Sequence, residues 1–451
     1  MQPIASSYRD PAGFVFEEEG RLFRFIDSRY EVHYSRLLQS GLYGELVKKG
    51  WLIPHKETPN DAAHSSGGRV IEPERIPFIS YPYEWSFNMW QDAALLTLQI
   101  ASAALKYGMV LKDATPFNIQ FIKGRPVFID TLSFENYEEG SHWVAYRQFC
   151  ECFLAPLLLM HYSHPETGKL FIVYPNGIPL NVLTGLLPGR AKWNVNTFLH
   201  IYLQAKLSAG NKKRNAAPAE FSKQKLDVLL KGLKGFVQKL QVKKKKTTWD
   251  DYYTGTVLGG DYVKAKTALV LSYLGEIEFE TAIDLGANDG HFSLLLNNAE
   301  RVIAVDADAN CINDLYLKIK REKINNVLPL LTDLVNPSPA TGWNNAERDP
   351  ISQRLKADLV LALALVHHLA IANNIPLSFI AGWLAPMAGY LIIEFVPKSD
   401  EKVKLLLQNR QDIFTGYTEE GFKEAFAAKY HFLKEQKTGN TGRILFLMKR
   451  R

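Results

Sequence analysis

The stretch Thr281-Ala-Ile-Asp-Leu-Gly-Ala-Asn-Asp-Gly-His-Phe-Ser293 constrains this 451-residue chain more than any other. A short apolar run (Ala282, Ile283, Leu285) leads through Gly286 and Gly290 into Phe292-Ser-Leu-Leu-Leu296, whose apolar content predicts a helix. Strand, tight turn and helix in that order make the first unit of a doubly wound α/β domain. Glycine tolerates a positive φ and lets a ligand approach the backbone without a Cβ in the way. The first turn of a following helix presents N–H groups to whatever sits in the turn.

A dinucleotide site wants G-x-G-x-x-G to admit a pyrophosphate, but the middle glycine is Asn288 here. Asp284 stands two residues before the first glycine, where a carboxylate repels phosphate and suits a cationic amino group. The pattern D-x-G-x-N-x-G-x-F resembles the first motif of class I S-adenosylmethionine (SAM) methyltransferases. That resemblance implies Asp284, Gly286, Asn288, Gly290 and Phe292 as SAM contacts. The continuation fits the same family. Arg301-Val-Ile-Ala-Val-Asp306 is an apolar strand ending in an acid 22 residues after Asp284, from which a carboxylate can accept hydrogen bonds from both ribose hydroxyls. Asn326–Asp333 is a third strand ending in an acid, where the family holds the adenine amino group. Asp358–Leu369 reads as a fully buried fourth strand, with Leu363 a further cofactor contact, and Gly389–Val396 as the fifth. A helix over Phe422–Tyr430 and an antiparallel pair from His431-Phe-Leu and Arg443–Met448 would close a Rossmann-like sheet of seven strands.

The end of the fourth strand faces the transferring methyl group in this family, which singles out His367 and His368. No N/D-P-P-Y of the amino-methylating enzymes stands there. A histidine with an ordinary pKa near ~6.5 suits removal of a proton from an attacking hydroxyl, a contribution of about 10²- to 10⁴-fold. The bland alternative is that one of the two packs under the sheet and holds a backbone carbonyl. Trp343, Glu347 and Arg348 before the fourth strand, Glu394, Lys398 and Asp400 after the fifth, and Arg410 and Tyr417 beyond them are candidates to line a polar acceptor pocket. Glu347–Arg348 is otherwise a surface ion pair worth under ~1 kcal/mol. Tyr252, Tyr253 and Lys264, ahead of the sheet, are candidate walls at the methionine end.

The first half reads differently. Gly13–Ile26 predicts a hairpin turning at Glu19-Gly20, Tyr30–Lys49 a helical stretch, Leu52-Ile53 and Ile76–Ser80 further strands, and Thr58–Gly68 a loop. Gln91–Tyr107 carries apolar residues at helical spacing. Leu111-Lys-Asp-Ala-Thr-Pro-Phe-Asn-Ile-Gln-Phe121 and Pro126–Leu132 follow. Asp113, Pro116, Asn118 and Asp130 stand at the spacing of the catalytic loop of protein kinases and aminoglycoside-type phosphotransferases, which this region resembles. In that family the first Asp orients the acceptor hydroxyl, and the Asn and second Asp hold Mg²⁺. Leu111 replaces the loop's opening His or Tyr, Thr-Leu follows Asp130 in place of Phe-Gly, and Glu17-Glu18-Glu19-Gly20 would repel phosphate. Arg24 is the nearest basic residue to the expected strand lysine. The region therefore reads as a kinase-like scaffold, and the local alternative is a capped turn between helix and hairpin.

His142–Tyr162 and Trp193–Ser208 read as apolar helices. Between Lys206 and Lys246 lie 13 Lys/Arg and 2 acids, a net +11 in a chain whose total is +6, so the remainder carries −5. Leu226, Leu229, Leu230, Leu233, Val237 and Leu240 form one stripe there. This pattern predicts a linker helix laid on a domain, with nucleic acid or an acidic membrane as the alternatives. Cys150, Cys152 and Cys311 form no metal set and are expected to be reduced, in a cytoplasmic protein without signal peptide. The longest apolar stretch, Phe153–Met160, is too short to span a bilayer.

Taken whole, the chain resembles a bacterial group of long class I methyltransferases placed alongside rhizobial nodulation proteins, through Arg-Asp-Pro-Ala-Gly-Phe, Tyr-Pro-Tyr-Glu-Trp-Ser, Lys-Asp-Ala-Thr-Pro-Phe-Asn, Leu-Ala-Leu-Val-His-His-Leu and Glu-Phe-Val-Pro-Lys-Ser-Asp. The resemblance implies methyl transfer from SAM and a link to glycan or lipo-oligosaccharide modification. The expected layout is an α+β kinase-like domain over 1–205, a basic helical linker over 206–248, and the methyltransferase domain over 249–451. The expected function is O-methylation of a hydroxyl-bearing glycan, lipo-oligosaccharide or small metabolite, with a histidine of the fourth strand as base. A Mg-ATP phosphotransferase in the first half, or nucleic-acid binding through 206–246, are the alternatives.

Overall fold

The computed structural model describes residues 2–58, 68–209, 221–243, 260–408 and 410–451. Most of the Thr58–Gly68 loop, Tyr252 and Tyr253, and the end of the basic run from Lys244 lie outside these residues. The chain divides into two units, Met1–Lys243 with Pro339–Pro350, and Lys244–Ser338 with Ile351–Arg451.

In the C-terminal unit five strands, β9 (Thr281–Leu285), β10 (Arg301–Asp306), β11 (Val327–Leu331), β12 (Leu359–Ala362) and β13 (Tyr390–Phe395), run parallel. β15 (Ile444–Arg450) lies antiparallel to β13, with β14 (Tyr430–Lys437) at the edge. The order β11-β10-β9-β12-β13-β15-β14 reverses direction beside β9. Ligands in open α/β sheets bind at the carboxyl ends of the strands beside such a reversal. The strands are buried apolar runs, Ala282, Val302, Leu359, Leu361, Ile392 and Leu447 among them, as a sheet covered on both faces requires.

Two expectations change here. No α-helix follows β9: only a 3₁₀ turn, Ser293–Leu295, separates the glycine turn from β10. Ten residues lie between Gly290 and Arg301, and Asn297-Asn298 end any helix before it can complete two turns. The fourth strand is also four residues long rather than twelve. Ala364 takes φ +52° and turns the chain into a helical segment that opens with Leu369 N donating to Leu365 O at 3.2 Å and contains a π-type turn, His368–Ala372. An apolar run does not by itself distinguish buried strand from buried helix.

The N-terminal unit opens with an antiparallel sheet of order β1-β2-β4-β3, formed by Gly13–Glu18, Arg21–Ile26, Arg69–Pro73 and His55–Thr58. Glu19 and Gly20, both at positive φ (51° and 75°), make the tight first turn. Ile76–Ser80 is not a strand, and Leu52 makes only an isolated bridge to Phe128. The sheet instead uses the polar edge segment His55-Lys-Glu-Thr, which has no apolar alternation to announce it. Gly41, at φ +87°, splits the predicted Tyr30–Lys49 helix into Glu31–Gln39 and Leu42–Lys48. Behind the sheet lie the buried helix Phe87–Lys106, the short pair β5 (Met109–Leu111) with β8 (Phe134–Asn136), and the hairpin β6 (Ile119–Ile122) with β7 (Arg125–Phe128).

The helix expected in a linker, Lys223–Lys239, packs within this unit. Leu226, Leu230, Leu233, Phe236 and Val237 are buried, and Gln91 Nε2 donates to Val237 O and Leu240 O at 2.8 and 2.9 Å. No helix among the described residues is long and apolar enough to cross a membrane. Leu233→Ala should therefore cost about 2–5 kcal/mol in denaturant unfolding. Exposed Val228→Ala should stay within about 0.5 kcal/mol, and equal small effects would mean the helix is not packed.

Candidate functional site

At the carboxyl edge of the sheet, β9 holds the centre, with Asp284 opposite Ala304 of β10 on one side and Leu361 of β12 on the other. Its carboxylate is buried and accepts Ser293 Oγ at 2.6 Å. Burial pushes its pKa up to about 6. Gly286 and Gly290 sit at φ +77° and +79°, and Asn288 at +49°. Gly286 N and Ala287 N both donate to Val305 O, pinning the turn against β10.

Asp306, at the end of β10, accepts Asn288 N on Oδ2 and Asp308 N on Oδ1, both at 2.8 Å. Burial raises its pKa too. It thus clasps the glycine turn. Thr332 N donates to Asp306 O, so Asp333 follows immediately beside it, two residues past β11, with Oδ1 accepting Val335 N. The three strand-end acids lie on three adjacent strands at one edge. Phe292 and Leu363 are buried in the core at that edge.

A second set of charges continues from there. Lys266, fully buried on the helix Gly260–Leu274, donates to Glu394 Oε2 at 2.7 Å, and Tyr262 OH donates to Glu394 Oε1 at 2.6 Å. Arg443 Nη1 reaches Tyr262 OH at 2.8 Å, and its Nε and Nη2 bind Asp400 at 2.7 and 3.0 Å. Lys266 Nζ also lies 5.0 Å from the Phe292 ring centroid. Burial lowers the Lys266 pKa, with Glu394 and Asp284 among the charges opposing that shift. Asp284, Glu394 and Asp400 are three carboxylates against the two cations Lys266 and Arg443.

His367 and His368 lie in the turn after β12, ring centroids 4.1 Å apart. His367 is wholly buried, and neither of its ring nitrogens has a hydrogen-bond partner. Burial, then the charge of its neighbours, holds its pKa well below 6.5, and burial brings His368 to about 4. Both are neutral at pH 7. Arg410 steadies this turn by donating to Ile371 O at 2.6 Å and to Asn374 Oδ1 at 2.8 Å.

Several expected pocket residues have other partners. Trp343, Glu347 and Arg348 fold with the N-terminal unit. Glu347 accepts Tyr8 OH at 2.6 Å, Arg9 Nη2 at 2.5 Å and Trp343 N at 2.9 Å, and the Arg348 guanidinium lies 3.7 Å from the Phe117 ring centroid. The expected Glu347–Arg348 pair forms, at 3.6 Å, but Glu347 is buried in it rather than at the surface. Burial works against its charge, yet the Tyr8 and Arg9 bonds bring its pKa down to about 2. Lys264 is exposed beside Asp261; Lys266, two residues on, faces inward instead. Lys398 pairs with Asp412 at the surface, and Tyr417 OH donates to Val396 O. Tyr262, Lys266, Ser293 and Arg443 were not singled out from sequence. The only cue was the i, i+4 spacing of Tyr262 and Lys266, which puts both on one helix face.

In the N-terminal unit the kinase-like positions do converge. Asn118 Nδ2 donates to Asp113 Oδ2 at 3.2 Å and Gln148 Nε2 to Asp113 Oδ1 at 2.5 Å. Asp130 pairs with Arg24 at 2.7 Å and accepts Ser133 Oγ.

No model of a protein family matches the chain. Nodulation protein NoeA of Rhizobium meliloti (strain 1021) is 34% identical over 460 residues, covering 99% of this chain and 96% of the relative. The chain belongs to the NoeA family of nodulation proteins. Among solved structures, N-methyltransferase NodS from Bradyrhizobium japonicum WM9 in complex with S-adenosyl-L-homocysteine is 12% identical, covering 45% of this chain and 92% of that one at a TM-score of 0.33. Magnesium protoporphyrin IX methyltransferase (ChlM) from Synechocystis PCC 6803 with bound SAM is also 12% identical, with 46% and 87% covered and a TM-score of 0.31. At that level of likeness nothing about this NoeA-family chain is carried over from either.

The buried charges make a stability prediction of their own. Lys266→Met leaves Glu394 buried without its cation and should cost about 3–5 kcal/mol in chemical denaturation, and Lys266→Met/Glu394→Leu should recover most of it. A single variant no worse than the double would mean that the pair is not buried.

Proposed function

We propose that the C-terminal unit is a SAM-dependent methyltransferase acting on a hydroxyl of a polar acceptor. The observation that carries this reading is Asp284. It is a buried carboxylate at the end of the central strand, beside a glycine turn, and the charges near it pair off as Lys266 with Glu394 and Arg443 with Asp400, which leaves its own charge without a cation. Such a group favours a cationic ligand over a phosphate. The residues fit SAM: Asp284 would hold the amino group, Asp306 the ribose hydroxyls and Asp333 the adenine edge, with Gly286 and Gly290 admitting the nucleoside close to the backbone. Bound there, SAM supplies a methyl group made electrophilic by its sulfonium.

The remaining work falls to the chain itself. His367, neutral at pH 7 and with both ring nitrogens unpartnered, would accept the proton of an acceptor hydroxyl. It follows the Ala364 turn at the end of the fourth strand, and its buried surroundings exclude water. A glycan, lipo-oligosaccharide or small hydroxylated metabolite is the acceptor class we favour, in a cytoplasmic enzyme. For residues 1–205 we propose a kinase-like scaffold without phosphotransfer, since Asp130 is paired to Arg24 and Asp113 is bound by Gln148 and Asn118.

Asp284 sets the sign of the pH dependence. Its folded value of about 6 lies above the ordinary 3.8, so its contribution to stability is present below about pH 3.8 and lost as pH rises through 6. A cationic ligand binds the ionised form, so SAM affinity by calorimetry should climb through pH 6 and level off above it. Asp284→Asn should flatten that profile and weaken binding about 10- to 100-fold. Affinity unchanged in both Asp284→Asn and Asp306→Ala would remove the cofactor assignment. Separately, His367→Ala should keep SAM binding while label transfer from SAM into fractionated extract drops about 10²- to 10⁴-fold. Transfer at the wild-type rate would remove the base assignment.

A further inference from the structure

The turn Gly189–Trp193 runs into three consecutive helical segments, Val195–Thr197, Phe198–Tyr202 and Leu203–Ala209. Their inward face is conventional: Ala191, Thr197 and Ile201 are buried, and His200 Nδ1 meets Tyr146 OH at 2.8 Å. The outward face is not. Trp193 is 88% exposed, Val195 68% and Leu207 52%, and Phe198 and Leu199 join them. Positions 195, 198 and 199 share one side of the helix at three- and four-residue spacing, the side on which a helix resting on a soluble core normally carries polar groups. A contiguous apolar face of this kind marks an interaction site.

Its border is basic. Lys192 and Lys206 flank it, with Lys192 Nζ 5.3 Å from the Tyr202 ring centroid. From Leu180 to Ala209 the sequence holds Arg190, Lys192 and Lys206 and no acid. We propose that this face docks the N-terminal unit on an anionic lipid bilayer. Trp193 and Phe198 would enter the headgroup boundary, and the lysines would meet lipid phosphates. Charge complementarity selects this occupant. A second copy would bring two lysine-rich borders together, and a nucleic acid would find aliphatic Val195, Leu199 and Leu207 where it needs donors. The attachment is peripheral, and it is independent of the methyl-transfer reading.

Flotation of the full chain with phosphatidylcholine vesicles, with and without phosphatidylglycerol, at low and high salt tests it. The wild type should float with the anionic vesicles only, and less at high salt. Trp193→Ser/Phe198→Ser should lower the partition coefficient about tenfold or more. Lys192→Glu/Lys206→Glu should abolish the preference for anionic lipid. Circular dichroism and the thermal midpoint should not change in either variant, since all four side chains are at the surface. The proposal is overturned if the wild type does not float with anionic vesicles, or if Trp193→Ser/Phe198→Ser floats as well as the wild type. It is equally overturned if those two residues instead mediate self-association in sedimentation, or salt-sensitive RNA binding.

Discussion

Everything at the carboxyl edge of the large sheet depends on burying charge without leaving it alone. An unpaired ion in a protein interior costs several kcal/mol, so each charged side chain there dictates where its partner must be. Glu394 at the end of β13 fixes Lys266 and Tyr262 on the helix ahead of the sheet. Tyr262 fixes Arg443 at the head of β15, and Arg443 fixes Asp400, whose Oδ1 also caps the helix Glu401–Leu407 through Lys402 N. Segments distant in sequence are thereby held in one place by a requirement stricter than apolar packing.

The parallel strands were legible because each is an apolar run of the right length ending in a polar residue. β9, β10, β11 and β13 fall within two residues or so of the positions expected from pattern alone. β12 was overextended because Leu363–Leu369 is as apolar as the strand before it, and only a positive φ at Ala364, invisible in the sequence, turns the chain. That error matters little for position, since the two histidines still lie at the strand's end. It matters for chemistry, because they belong to a helical turn rather than to a pleated strand. The helix after β9 failed for the opposite reason: its apolar residues fill the core, but the segment is too short to wind.

The candidate pocket was less legible than the sheet. Glu347 and Arg348 are next to the fourth strand in sequence and pack with Tyr8, Arg9 and Phe117. No local pattern announces contacts between residues more than two hundred positions apart. Lys264 and Lys266 differ by two positions and point to opposite sides of a helix, so a choice between them from sequence turned on a period that the helix's weak amphipathicity does not fix. In the N-terminal unit, by contrast, Asp113, Asn118 and Asp130 do gather, because the short hairpin between them leaves little freedom for another outcome.

One feature of the topology reaches beyond the site. The chain leaves the sheet-bearing unit after Ser338, contributes twelve residues to the other unit, and returns at Ile351, whose N–H bonds Ser338 O at 3.1 Å to close the neck. The two units are therefore not successive blocks of one polypeptide. No single cut yields both intact, and a recombination event that exchanged either half at one junction would carry away part of the other's core.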